Sequence, residues 1–327
     1  GEQKGIVLLH NHYFQHNILE AGAHWVDSPW RSANAIQDTG FPEPPPFAAD
    51  KRIFMAEQFY DVSHPVRREL HRAYIRQCLD NFAGQNNVIH MISAEYTGPL
   101  HFMEFWLDTI AEWQAETGHD AIIALSATRD VQDAILADPA RAELIDVIDI
   151  RYWWYQPDGS VYAPEGGRNL APRQHARLLR PRPATFEQVA RAVREDRLRY
   201  HAKAVIYSAE GPEHDWAVLM AGGSLANVPR SLDAELLAAV PQMMPAETGD
   251  GILRLQAPDQ AYLAYVPAKA TAAFETGSNG RFVVRWIDPG TGKMRDEPST
   301  IAGGRIELSN PADQPSILWM SAEEARE

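Results

Sequence analysis

The sequence of 327 residues predicts an α/β fold with a parallel sheet, followed by a small antiparallel β region. Three observations predict it. Up to about residue 250, apolar runs of strand length alternate with longer stretches of helical period, the grammar of strand–helix–strand crossovers. Two of those runs, VIHMISAEY at 88–96 and AVIYSAEG at 204–211, end on a carboxylate, Glu95 and Glu210. Beyond about residue 250 the runs shorten, and Gly-Ser-Asn-Gly, Asp-Pro-Gly and Asn-Pro turns separate them, as in packed antiparallel sheets.

Taken in order, GIVLLH at 5–10 predicts the first strand and runs into the polar stretch NHYFQHN. Residues 14–65 follow as a long loop holding Trp25, Trp30 and the proline-stiffened FPEPPPF at 41–47; loops of that length in compact domains are usually functional. Within it, RIFMAEQF at 52–59 fits a short strand or a helical turn equally. After Pro65 a helix is expected, with Val66, Leu70, Tyr74, Cys78 and Phe82 as its apolar stripe and Gly84 as its stop. The strand at 88–92 is next, then a helix whose buried face is Phe102, Phe105, Trp106, Thr109, Ile110 and Trp113, ended by Gly118. AIIALS at 121–126 is a strand, 128–138 a short helix and LIDVIDI at 144–150 a strand leading into RYWWY. Residues 156–184 show no element. A helix capped by Thr185 spans 185–200, strands follow at 204–208 and 216–221, and Ser231 caps a helix to 240. That makes six strands, where a closed (β/α)8 barrel needs eight.

Composition limits the function classes. With 30 basic and 44 acidic residues the net charge is −14, which argues against nucleic acid and anionic membrane surfaces as partners. It leaves room for an acidic polysaccharide met by a local arginine cluster. Cys78, alone in the sequence, excludes an internal disulfide. No apolar run is long enough to span a membrane, and nothing calls for a cofactor.

AYLAYVPAKA and FVVRWIDPGTGKM in the C-terminal segment resemble the collagen-binding type of β-sandwich that follows apiosidase-like (β/α)8 TIM barrels in bacterial polysaccharide-degrading enzymes. YFQHNILEAGAHWVDSPWR and FYDVSHPVRRELHRAYIRQCLDNFAG look like a relative of those barrels. The resemblance implies a barrel domain over 1–247 and a β-sandwich over 248–327, in a periplasmic or secreted protein. It implies a retaining glycoside hydrolase acting on a plant, algal or bacterial polysaccharide. In that family the acid/base follows strand four and the nucleophile strand seven. With 88–93 as strand four, Glu95 is the acid/base and Glu210 the nucleophile, two residues already marked by their strand ends. This numbering makes 5–10 strand three, so a second segment or chain is expected to complete the barrel. Ala94 stands where the best-known retaining clan has asparagine, so the group holding the 2-hydroxyl must come from elsewhere.

Several further residues are expected to bind substrate. His10, Asn11, His12, Gln15 and His16 form a polar cluster after the first strand; Tyr96 follows Glu95; Asp149, Arg151, Trp153 and Trp154 surround the end of the fourth; Trp25 and Trp216 offer stacking faces. Arg151 suits a substrate carboxylate. Arg168, Arg173, Arg177, Arg180 and Arg182 make the 156–184 stretch basic. Two other classes stay open. His10 and His12 share the His-x-His pattern of metal-dependent hydrolases, which would need further ligands; a non-catalytic glycan-binding protein is the other. No metal is expected on the leading reading.

Overall fold

A computed structural model describes residues 2–14, 25–46, 48–209, 214–246, 249–277, 280–295 and 298–323, the side chains of 2 and 48–52 excepted. The chain forms two compact units, Gly1–Pro183 and Ala184–Glu327.

In the first unit, β1 (Leu8–Phe14), β2 (Val88–Ala94), β3 (Ile122–Ser126) and β4 (Val147–Ile150) lie side by side in that order, all parallel. Helices make the crossovers: α1 (Ala48–Tyr60) and α2 (Pro65–Asp80) between β1 and β2, α3 (Leu100–Thr117) between β2 and β3, α4 (Arg129–Ala137) and α5 (Pro139–Glu143) between β3 and β4. β2 buries every residue from Val88 to Ser93, as a strand covered on both faces must. α3 presents the expected face, with Phe102, Trp106 and Ile110 fully buried, and Gly118 ends it at φ 68°.

Three sequence expectations are corrected, and one left open between strand and helix is settled. The first strand is shifted toward the C-terminus, so His10, Asn11 and His12 lie within it, held by pairing with β2. The 52–59 stretch is helical, part of α1. The buried face of α2 is Arg67, His71, Ile75, Cys78 and Leu79, one position off the apolar stripe. Two polar residues sit in that face because both are satisfied: Arg67 donates to the Gly40 and Gln58 carbonyls at 2.8 and 3.0 Å, while His71 bonds Tyr13 and Phe59. The 156–184 stretch contains the end of a small hairpin, β5 (Trp154–Tyr155) with β6 (Val161–Tyr162), and a helix, α6 (Pro172–Leu179), with Pro172 in its first turn.

The second unit opens with α7 (Phe186–Arg199), capped by Thr185 as expected, and β7 (Ala204–Tyr207). The run at 216–221 is not a strand but most of the helix α8 (Asp215–Met220). Its Ala, Leu and Met favour a helix, and a buried apolar run this short carries no period to separate the two. α9 (Ala234–Ala239) follows. The remaining strands are antiparallel: β8 (Met244–Pro245), β9 (Leu253–Ala257), β10 (Ala261–Val266), β11 (Thr271–Glu275), β12 (Arg281–Ile287), β13 (Ser299–Ala302), β14 (Arg305–Ser309) and β15 (Ser316–Ala322). Six form one sheet in the order β13-β12-β15-β10-β9-β8, and β11 pairs with β14. One face of the large sheet packs Tyr262, Phe282 and Leu318 against Phe274 and Ile306 of the pair. The other packs Leu263 and Trp319 against Leu219 and Leu236 of α8 and α9. No helix among the described residues is long and apolar enough to cross a membrane.

Candidate active site at the carboxyl ends of the parallel strands

Glu95 is the first residue past β2. It is half-buried and held at φ 61°, a left-handed conformation that costs a non-glycine residue about 1–3 kcal/mol. The loop behind it over-determines that geometry. The buried Tyr96 donates its hydroxyl to the Pro99 carbonyl at 2.7 Å. A Cβ on Gly98 would lie 2.6 Å from the Tyr96 ring, so only glycine fits there. Thr97 donates its hydroxyl to the Leu170 carbonyl at 2.6 Å, and the Gly167 N–H returns to the Thr97 carbonyl at 2.9 Å.

β3 and β4 carry polar residues to the same end of the sheet. Ser126 and Asp149 are register partners, and Ser126 Oγ donates to Asp149 Oδ2 at 2.7 Å. Both are fully buried. Gln132 of α4 locks this end, donating to the Leu125 and Asp149 carbonyls at 2.9 and 2.7 Å and accepting from Trp153 Nε1 at 2.8 Å. Trp153 is in turn covered by the Arg129 guanidinium, 4.4 Å from its ring centre.

Tyr152 is 5% exposed, and its hydroxyl makes no well-formed hydrogen bond among the described residues. Burial raises its pKa most; Arg151 draws it partly back, the charges of Asp149 and Glu95 raise it further, and the nearby Ser126 hydroxyl, short of good hydrogen-bond geometry, lowers it. The hydroxyl therefore acts as a donor and shares one electrostatic environment with both carboxylates. The half-buried Arg151 guanidinium lies 5.8 Å from the centre of the Tyr152 ring. Ser126 and Tyr152 were missed as site residues: one reads as the last letter of a strand, the other as part of an aromatic run.

A cleft of about 470 Å³ opens beside the ends of β1 and β2, lined by Asn11, Phe14, Trp30, Tyr74 and Ala94 among others. Asn11 Oδ1 is buried and has no hydrogen-bond partner among the described residues. Trp25 is 4% exposed and packs on Phe41. Trp154 is half-buried and donates to the Arg182 carbonyl, and in the second unit Trp216 donates to that of Pro289. Gln15, His16 and Glu210 lie outside the described residues.

His10, His12 and His90 converge, with ring nitrogens within 4.8 Å of one another. His12 Nε2 is 3.0 Å and His10 Nδ1 3.4 Å from His90 Nδ1, spacings a tetrahedral metal would accept. The donor chemistry does not fit one. Trp106 Nε1–H donates to His12 Nδ1 at 3.0 Å, so a neutral His12 carries its proton on Nε2, the atom that would have to bind the metal. That proton instead points at His90 Nδ1. Burial is the first cause lowering the pKa of all three, to about 4 for His90, so the cluster is a neutral hydrogen-bonded chain at neutral pH.

A family model described as "Domain of unknown function (DUF6298)" matches residues 1–243. No curated protein matches the sequence. Among solved structures the chain is similar to one described as a glycoside hydrolase, at 12% identity and TM-score 0.48 over 90% of this chain and 80% of that one. It is also similar to a glycoside hydrolase family 5 protein from Bacteroides vulgatus ATCC 8482, at 14% identity and TM-score 0.47 over 77% and 66% of the two chains. A GH30 endoxylanase from Clostridium papyrosolvens C71 matches at 11% identity and TM-score 0.41 over 86% and 76%. Likenesses this distant carry no argument about what the chain does.

Proposed function

We propose a function for this chain, which belongs to the DUF6298 family: it is a retaining glycoside hydrolase that cleaves a plant, algal or bacterial polysaccharide. The observation that carries the reading is Glu95, a carboxylate held in a strained conformation at the carboxyl end of a parallel strand. The charges of Glu95 and Asp149 both act on the buried Tyr152 hydroxyl. Strain concentrates at functional sites, and carboxyl ends of parallel strands are where α/β enzymes work.

In this reading Glu95 protonates the leaving oxygen and Glu210 attacks the anomeric carbon, forming a glycosyl-enzyme ester. Glu95 then takes a proton from the water that hydrolyses the ester. The chemistry needs the two carboxyl groups about 5–5.5 Å apart. Asn11, which lines the cleft, binds a substrate hydroxyl, and the buried Tyr152 positions the groups around it. His10, Gln15, His16 and Trp154 complete the binding set, and the buried His12, Trp25, Tyr96, Asp149 and Trp153 support it. The proposed architecture is an apiosidase-like barrel over 1–247 and a collagen-binding type β-sandwich over 248–327, in a secreted or periplasmic protein. Along β1, the outermost strand of the first unit's sheet on one side, Leu8, Leu9 and Phe14 are 42–51% exposed, which supports pairing with a further segment or chain.

The test is kinetic. On the polysaccharide that the wild type cleaves best, Glu95→Gln is expected to lower kcat by about 10²–10⁴-fold. The loss shrinks on an aryl glycoside whose leaving group needs no protonation. Equal loss on both substrates, or none on either, contradicts the role.

A further inference from the structure

We propose that Arg151 is a specificity residue that binds a carboxylate of the substrate, so the glycan taken by this site contains uronic acid. The inference rests on the glycosidase reading for its site and adds the substrate class.

Arg151 follows β4 directly, between Asp149 and Tyr152 in sequence. Its guanidinium makes no hydrogen bond or ion pair among the described residues, and its one ring contact is with Tyr152. A half-buried guanidinium that meets no acceptor among the described residues, with the Tyr152 ring as its neighbour, is a donor surface without an acceptor. The nearby carboxylates do not fill that role: Asp149 accepts from Ser126, and no ion pair joins Arg151 to Asp149 or Glu95 among the described residues. A planar carboxylate matches the guanidinium fork.

The neighbouring surface has the same sign. The segment tied to the Glu95 loop through Thr97, Gly167 and Leu170 continues into α6. Arg168 and Arg182 are neutralised by Glu165 and Asp158. Arg173, Arg177 and Arg180 on and after α6 are exposed and have no ion pair among the described residues. In a chain of net charge −14, a cationic strip beside the site offsets the long-range repulsion of a polyanion.

The experiment is binding of uronic-acid oligosaccharides, their carboxyl-reduced neutral counterparts and sulfated neutral oligosaccharides, measured calorimetrically on the Glu95→Gln protein so that nothing is consumed. Arg151→Gln, added to it, is expected to weaken uronate binding by about 10- to 100-fold and leave the reduced ligand unchanged. Arg151→Lys is expected to recover part of the loss, and uronate affinity to fall with added salt. An unchanged melting temperature in Arg151→Gln rules out misfolding as the cause. Equal affinity for uronate and reduced ligand, or sulfated ligand preferred with the same Arg151 dependence, overturns the carboxylate assignment. Arg151-dependent uronate binding by a wild type that hydrolyses nothing upholds it while removing the glycosidase reading. Hydrolysis of a neutral glycan indifferent to Arg151 does the reverse.

Discussion

At the residue scale, Tyr152 separates what stabilises the chain from what the site needs. A buried hydroxyl without a well-formed hydrogen bond costs about 1–3 kcal/mol of desolvation, and that of Tyr152 has only a poorly aligned Ser126 beside it among the described residues. Tyr152→Phe is therefore expected to raise the melting temperature by a few degrees while lowering turnover at least tenfold. Thermal denaturation and steady-state kinetics on one preparation check both halves; a fall in stability with unchanged turnover would make Tyr152 a packing residue. How much of the site was legible also divides at this scale. Glu95, Asp149 and Arg151 could be read because each marks the end of an apolar run. Ser126 could not, because nothing in AIIALS separates its last residue from the rest. The roles of His10 and His12 depended on a strand boundary: polar letters after GIVLLH read as a loop, yet pairing with β2 holds them in the strand.

At the element scale, His71 ties three elements together. Its Nε2–H donates to the Phe59 carbonyl of α1 at 2.9 Å, and its Nδ1 accepts from the Tyr13 hydroxyl of β1 at 2.9 Å. Only the neutral ring satisfies both. Burial, the first cause, lowers its pKa from 6.5 to about 3; the Phe59 bond opposes the shift and Arg67 adds to it. Because the folded value lies below the unfolded one, the unfolded chain binds the extra proton between them, and stability falls as pH falls. The contribution is whole above about pH 6.5 and is lost progressively toward pH 3. Urea midpoints are expected to hold steady above pH 7 and decline below it, less steeply in His71→Gln, whose side chain stays neutral. Identical slopes in the two proteins contradict this. Periodicity placed α2 correctly but not its buried face, since a stripe count passes over polar residues whose partners are distant in sequence. The helix α8 was hidden for the opposite reason: a run apolar all round has no period.

At the scale of the whole molecule, the alternating grammar before residue 250 and the short-strand grammar after it were both legible, because backbone pairing and turn chemistry write themselves locally. The compact division at 183/184 was not, because it falls inside a stretch that local signals describe only as rich in proline and arginine. The catalytic proposal names Glu95 as acid/base and Glu210 as nucleophile. Its most direct test is trapping of the covalent intermediate with an activated 2-deoxy-2-fluoro glycoside of the sugar that the protein cleaves, followed by mass spectrometry of peptides. One glycosyl unit is expected on the peptide containing Glu210, absent in Glu210→Gln. An adduct on another residue, or turnover of the natural substrate with no adduct formed, would contradict it.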